Sequence, residues 1–167
     1  MYKQLGFDEF HSIKSFTDAE MFRNMVSDAS TYDLVLELLA QDEGPQFIFD
    51  VTIASHGGYD TGTVPEEEMA HVALDGEENA ELNEYISCIE RSDAELKDLM
   101  DKLRLLDRPV VLCFFGDHQP GFVEWLSSEA FEADQMPEIE LVQNRYVTPY
   151  MVWTNDAQLR GKAGAPT

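Results

Sequence analysis

Six apolar residues, Val110 to Phe115, constrain this chain more than any other stretch, because they are followed at once by Gly116-Asp117-His118-Gln119-Pro120. The apolar half has the length and β-branched start of a strand buried on both faces, as in a parallel sheet. A flexible glycine, a carboxylate, an imidazole and a helix-breaking proline then stand where the strand leaves the core. In open parallel sheets, ligands sit in the crevice beyond the carboxyl ends of the strands. Asp117 and His118 therefore occupy a position suited to chemistry rather than to packing.

Around that run the pattern alternates between helix and strand. Thr17 and Glu20, three apart, form a capping box that predicts a short helix over residues 17–25. A second helix follows over residues 30–41, with Tyr32, Val35, Leu36, Leu38 and Leu39 on a broad apolar face. Residues 47–55, FIFDVTIAS, read as a strand in which Asp50 has no evident reason. An acidic loop spans residues 57–79. From about Glu77 to Leu106 the steps of Leu82, Ile86, Ile89, Leu96, Met100 and Leu103 are helical, with Ser92 and Glu95 as a second capping box marking a break near Asp93. Beyond the strand at 110–115, a short helix is predicted over residues 122–133 and a last strand over residues 149–155.

Strand, long helix, strand is a βαβ unit, whose crossover makes the two strands parallel. His56, after the first strand, and His118, after the second, are then expected on one rim of the sheet.

The chain has 167 residues, enough for one domain with a core. Against 11 Lys and Arg stand 33 Asp and Glu, a net charge of −22. Such an excess repels nucleic-acid phosphates and anionic lipid, so neither is an expected partner. The acidic residues read first as solvated surface. Cys88 and Cys113 make no disulfide framework, and Cys113 reads as a small core residue. The sequence contains no apolar stretch long enough to span a membrane and no signal-peptide pattern.

Asp117 and His118 offer one oxygen and one nitrogen donor, a pair suited to a divalent metal. Equally, an Asp there can cap the next helix while the His bonds a neighbour. His56, beside Gly57 and Gly58, can contact an anionic or hydroxylated substrate or be an ordinary loop histidine. His11 and His71 lie in polar surroundings and read as surface residues. The chain offers no Ser, Thr or Cys with a nearby base that makes a convincing nucleophile.

The segments YKQLGFDEF, FIFDVTIASHGGYD, LNEYISCIERSDAELKDLMDKL, RPVVLCFFGDHQP and RYVTPYMVWTN occur in this order across nearly the whole chain. Together they resemble the second half of the catalytic domain of sulfatase-superfamily enzymes, and within them the lipoteichoic acid synthase-like phosphoglycerol transferases. The resemblance implies an α/β class, an alkaline-phosphatase-like α/β/α sandwich present as a partial domain with a mostly parallel sheet. It implies that residues 1–167 are the C-terminal part of that domain, whose N-terminal half would bring a threonine nucleophile and a metal-binding glutamate. Neither has a matching position in this chain.

By the same resemblance, Asp117 and His118 bind a catalytic divalent metal, manganese or magnesium first, with zinc or calcium as alternatives. His56 lines the substrate site. Phe122 stands where some lipoteichoic acid synthases carry a substrate-binding serine, which leaves the headgroup open. The implied parent enzyme is membrane-anchored outside this chain, works on the outer face of a bacterial membrane, and moves phosphoglycerol from a phosphatidylglycerol-like lipid or onto a glycopolymer. A sulfatase or phosphoethanolamine transferase is the alternative enzyme, and a non-catalytic acidic binding module the alternative outside catalysis.

Overall fold

A computed structural model describes residues 2–74, 76–121, 137–144 and 146–160. They fall into two compact units, Met1–Asp101 and Lys102–Thr167.

The first unit opens with two short 3-10 turns, Tyr2–Leu5 and Ile13–Ser15. A hairpin follows, β1 (Met21–Phe22) against antiparallel β2 (Met25–Val26). Arg23 and Asn24 form its two-residue turn with φ of 50° and 62°, the left-handed pair that matches the twist of a tight hairpin. This replaces the helix predicted over residues 17–25. A capping box needs Glu20 to turn back on its own backbone, whereas here its carboxylate pairs with Arg91.

α1 (Asp28–Gln41) starts two residues before the predicted helix, because Ser27 is its cap. The Ser27 hydroxyl oxygen accepts from the Ser30 amide at 3.2 Å. A second free amide, that of Ala29, donates to Glu95 Oε2 at 2.8 Å. Two of the four orphan donors at this helix start are thereby satisfied.

Residues 47–55 do not form a strand ladder. Phe47, Phe49, Val51 and Ile53 are exposed, Ile48 and Thr52 are half-buried and Ala54 is buried. The alternation of a strand is present, but among the described residues no neighbouring strand pairs with it. Asp50, unexplained by sequence, accepts a hydrogen bond from the Thr31 hydroxyl at 2.8 Å. Within the acidic loop lie a 3-10 turn, Glu66–Glu68, and the hairpin β3 (Ala73–Leu74) with β4 (Glu77–Glu78).

α2 (Ala80–Arg104) is unbroken. Asn79 starts it, its side-chain oxygen accepting from the Leu82 amide at 2.9 Å. The predicted break at Ser92 is absent because both members of that capping box are used elsewhere. Ser92 Oγ donates to Asp28 Oδ2 at 2.6 Å, and Glu95 pairs with Arg91 and the Ala29 amide. Nor does α2 bury a purely apolar stripe: Asn83, Glu84 and Ser87 are buried with Leu82 and Cys88, while Ile89 is exposed. The core of this unit gathers Phe22, Ala54, Val64 and Cys88, with Tyr59 and Met69 packed on it.

The second unit holds the end of α2, β5 (Val111–Phe115), α3 (Glu138–Asn144), β6 (Tyr150–Thr154) and α4 (Ala157–Arg160). β5 pairs with β6, antiparallel, with Val111 opposite Thr154 and Phe115 opposite Tyr150. The parallel βαβ pairing expected between residues 47–55 and 110–115 is therefore not formed among the described residues, and the three ladders there are all antiparallel. That pairing was the topological reason for placing His56 and His118 on one rim. β5 also buries one face only. Leu112 and Phe114 are half-buried, while Val111, Cys113 and Phe115 are exposed beside Val152 and Tyr150 of β6. Cys113 is thus a surface thiol and not a core residue; no described layer covers that face. The helix predicted over residues 122–133 and the Phe122 position lie outside the described residues.

Candidate functional site

In the second unit, β5 delivers Asp117 and His118 to solvent. Gly116, the hinge between strand and pair, donates its amide to Pro149 O at 3.1 Å, so the ladder holds the chain up to the glycine. A Cβ at Gly116 would lie 3.4 Å from the Thr148 side chain, at ordinary van der Waals distance. Beyond it the side chains of Asp117 and His118 are 80% and 63% exposed, with Oδ2 and Nε2 3.6 Å apart. Asp117 Oδ1 accepts from the His118 amide at 2.8 Å, and His118 Nδ1 lies 2.9 Å from Gln119 O. That contact suits an Nδ1–H tautomer, which leaves the Nε2 lone pair available as a donor to a cation. Gln119 anchors the segment, its amide donating to Asn144 O and Val147 O.

One carboxylate oxygen and one imidazole nitrogen, adjacent and hydrated, fit an edge of a divalent-cation coordination sphere. Two donors leave the other positions to groups outside the pair, and among the described residues no group of three or more His, Cys, Asp or Glu is placed to hold a metal.

His56 lies in the first unit, on the loop that leaves Ala54. Its ring is at the surface, Nδ1 lying 2.8 Å from Gly57 O. Beneath it is a buried ion pair that sequence reading missed. Arg23 Nε donates to Glu84 Oε1 at 2.8 Å, with side chains 2% and 1% exposed. The rest of the guanidinium serves the loop backbone: Nη1 donates to Ala54 O and His56 O, and Nη2 to Gly58 O. Burial opposes ionisation of Glu84, but the Thr61 hydroxyl and amide and the Arg23 charge outweigh it and hold the carboxyl below its ordinary value. Only two signals in sequence hinted at this pair: an arginine directly after the apolar Met21-Phe22, and a glutamate two residues from both Leu82 and Ile86 of the α2 stripe.

Of the other titratable groups, His11 rests against Glu9 and His71 against Glu78, both at the surface as expected. Burial pushes the Cys88 thiol up to about 11, which keeps it protonated and unreactive at neutral pH.

Short ladders, a 25-residue helix and an exposed Asp-His pair at a strand end define a partial α/β domain. Structural comparison sharpens the class. The chain superimposes on Streptococcus pyogenes phosphoglycerol transferase GacH, determined in complex with sn-glycerol-1-phosphate, with a TM-score of 0.66 at 24% identity. The match covers 92% of this chain and 38% of that one, and shows an alkaline-phosphatase-like α/β fold. The Sulfatase family model matches residues 1–167, and the chain belongs to that family. A Rhizobium meliloti (strain 1021) protein named for cyclic beta-1,2-glucan modification is 27% identical over 93% of this chain. The capsular polysaccharide biosynthesis protein RkpI of the same organism is 36% identical over 70% of it. This chain spans 25% and 20% of the lengths of those two relatives.

Proposed function

We propose that the protein carrying this chain is a metal-dependent transferase that moves a phosphoglycerol-type group onto a surface glycopolymer. The observation that carries the proposal is the Asp117–His118 pair, exposed directly after β5 in a chain of the sulfatase family. Likeness to a phosphoglycerol transferase supports the transferred group, and two relatives named for polysaccharide chemistry support the acceptor. Asp117 and His118 would contribute two ligands to a manganese or magnesium ion, with zinc or calcium as alternatives. Such an ion neutralises charge on a phosphodiester under attack. His56 would hydrogen-bond the headgroup or leaving oxygen. Residues 1–167 would be the C-terminal part of the catalytic domain, acting at the outer face of a bacterial membrane. No helix among the described residues is long and apolar enough to cross one.

The test is turnover of phosphatidylglycerol and of a nitrophenyl phosphodiester by the full-length protein with manganese. Asp117→Ala and His118→Ala are each expected to lower kcat/KM by about a thousandfold or more, since a metal ion supplies several kcal/mol to such steps. Activity surviving both substitutions would reject the metal assignment. Turnover of nitrophenyl sulfate in place of the phosphodiester would assign the protein to the sulfatase branch.

A further inference from the structure

The geometry points to Arg23 and Glu84 as positioning residues that fix the backbone of the His56 loop and so set where its imidazole meets substrate; this rests on the substrate role proposed for His56. Three carbonyls around the histidine converge on one guanidinium: Ala54 O at 3.3 Å, His56 O at 3.0 Å and Gly58 O at 2.6 Å. Glu84 holds the far end of the loop, Oε2 accepting from the Thr61 amide at 2.6 Å and Oε1 from the Thr61 hydroxyl at 2.5 Å. The segment 54–61 is therefore tied at five points to one ion pair, with the guanidinium 5.2 Å over the Tyr59 ring.

Stability alone does not account for this arrangement. Burying an ion pair removes two charges from water, and a packed apolar pair of similar volume often stabilises a fold as well or better. What an apolar pair cannot do is hold several backbone carbonyls in fixed directions. A guanidinium can, because its five N–H groups lie in one rigid plane. The hairpin turn supplies the placement: Arg23, at φ of 50°, leaves β1 with its side chain directed under the loop. The anchored atoms are all main-chain or belong to Thr61, so the His56 ring stays exposed above a backbone that the pair immobilises. A loop held this way enters a reaction with its geometry already set, and a misplacement of about 1 Å can cost about a hundredfold in rate.

Arg23→Lys keeps the charge and an approach to Glu84 but replaces the planar fork with a single ammonium. In the full-length protein it is expected to speed amide hydrogen exchange over residues 56–61 by about tenfold or more while the centre of α2 stays protected. With a nitrophenyl phosphodiester and manganese, kcat/KM should fall by about ten- to a hundredfold. The deciding readout is a double-mutant cycle: if Arg23 acts through His56, Arg23→Lys should cost little in a His56→Ala background. Additive losses would overturn the positioning role, as would unchanged loop exchange. A silent His56→Ala would instead reject the substrate role of His56, with the exchange result then judging the clamp by itself. Should Arg23→Lys not fold, Thr61→Val removes the hydroxyl bonds to Glu84 and Thr63 at the loop's surface end while leaving the Thr61 amide bond to Glu84. It should move the same readouts in the same direction by a smaller factor, and no movement would count against the clamp.

Discussion

Asn155 is one residue on which the second unit should depend far more than its place at a strand end suggests. Its side-chain oxygen accepts from the Val110 amide at 2.8 Å. Its amide group donates to Leu103 O at 3.1 Å and Arg108 O at 2.9 Å, with a longer contact to Leu106 O at 3.4 Å. One side chain thus ties the Leu103 carbonyl in the last turn of α2, and the Leu106 and Arg108 carbonyls just beyond it, to the entry of β5. Replacing it with alanine removes three well-formed bonds. At about 1 kcal/mol net each, with water reaching some of the freed carbonyls, the loss should be about 2–3 kcal/mol. For a protein of this size that lowers Tm by about 5–10 °C. The assay is urea unfolding of wild type, Asn155→Ala and Asn155→Asp at pH 7.5 and pH 4.5. Asn155→Asp keeps an acceptor for Val110 but points a carboxylate at carbonyl oxygens, which raises its folded pKa above the unfolded value near 3.9. The folded state then binds the proton more tightly, so stability is greatest at low pH and falls as pH rises through the raised value. Asn155→Asp should therefore be weaker than Asn155→Ala at pH 7.5 and recover at pH 4.5. An Asn155→Ala loss below about 0.5 kcal/mol would refute the reasoning, since that is the range of ordinary surface changes.

Burial, with the Glu95 and Asp50 charges adding to it against the Ser92 hydrogen bond, raises the Asp28 carboxyl, and burial raises that of Asp50. Both groups make the fold less stable as pH rises through their raised values, so Asp28→Asn should gain on wild type between about pH 4.5 and 7.5 in urea midpoints; a difference independent of pH contradicts this. Glu84 has the opposite sign: its lowered pKa gives stability present above about pH 4.3 and lost as pH falls through the folded value, so Glu84→Gln should cost more at pH 7 than at pH 3. Manganese should bind this chain only weakly, since two ligands leave most positions to water. In titrations at moderate salt the strongest class should be lost in both Asp117→Asn and His118→Ala, leaving the looser binding by the 33 acidic residues. Identical titrations would mean the pair holds no metal. Because the threonine and glutamate implied by the family have no matching positions here, the 167-residue chain alone should show no manganese-dependent phosphodiesterase activity; turnover abolished by Asp117→Ala would sink that expectation.

Periodicity and local spacing determined α1, α2, β5 and β6 to within a few residues, because each has an apolar pattern long enough to outweigh its surroundings. The family resemblance was legible too, since it rests on ordered segments rather than on contacts. Capping boxes misled for one physical reason. Glu20, Ser92 and Glu95 carry the right groups at the right spacing, yet each finds a better partner far along the chain, in Arg91, Asp28 and the Ala29 amide. Strand pairing was likewise undetermined by sequence, because alternation fixes which face a strand buries and not which neighbour it meets. Residues 47–55 keep the alternation without a ladder, and β5 takes β6 as an antiparallel partner. The Arg23–Glu84 pair was the least legible of all. Sixty-one positions separate the two residues, and burying either charge is favourable only with the other and the 54–61 backbone in place, an arrangement that exists only once the chain has folded.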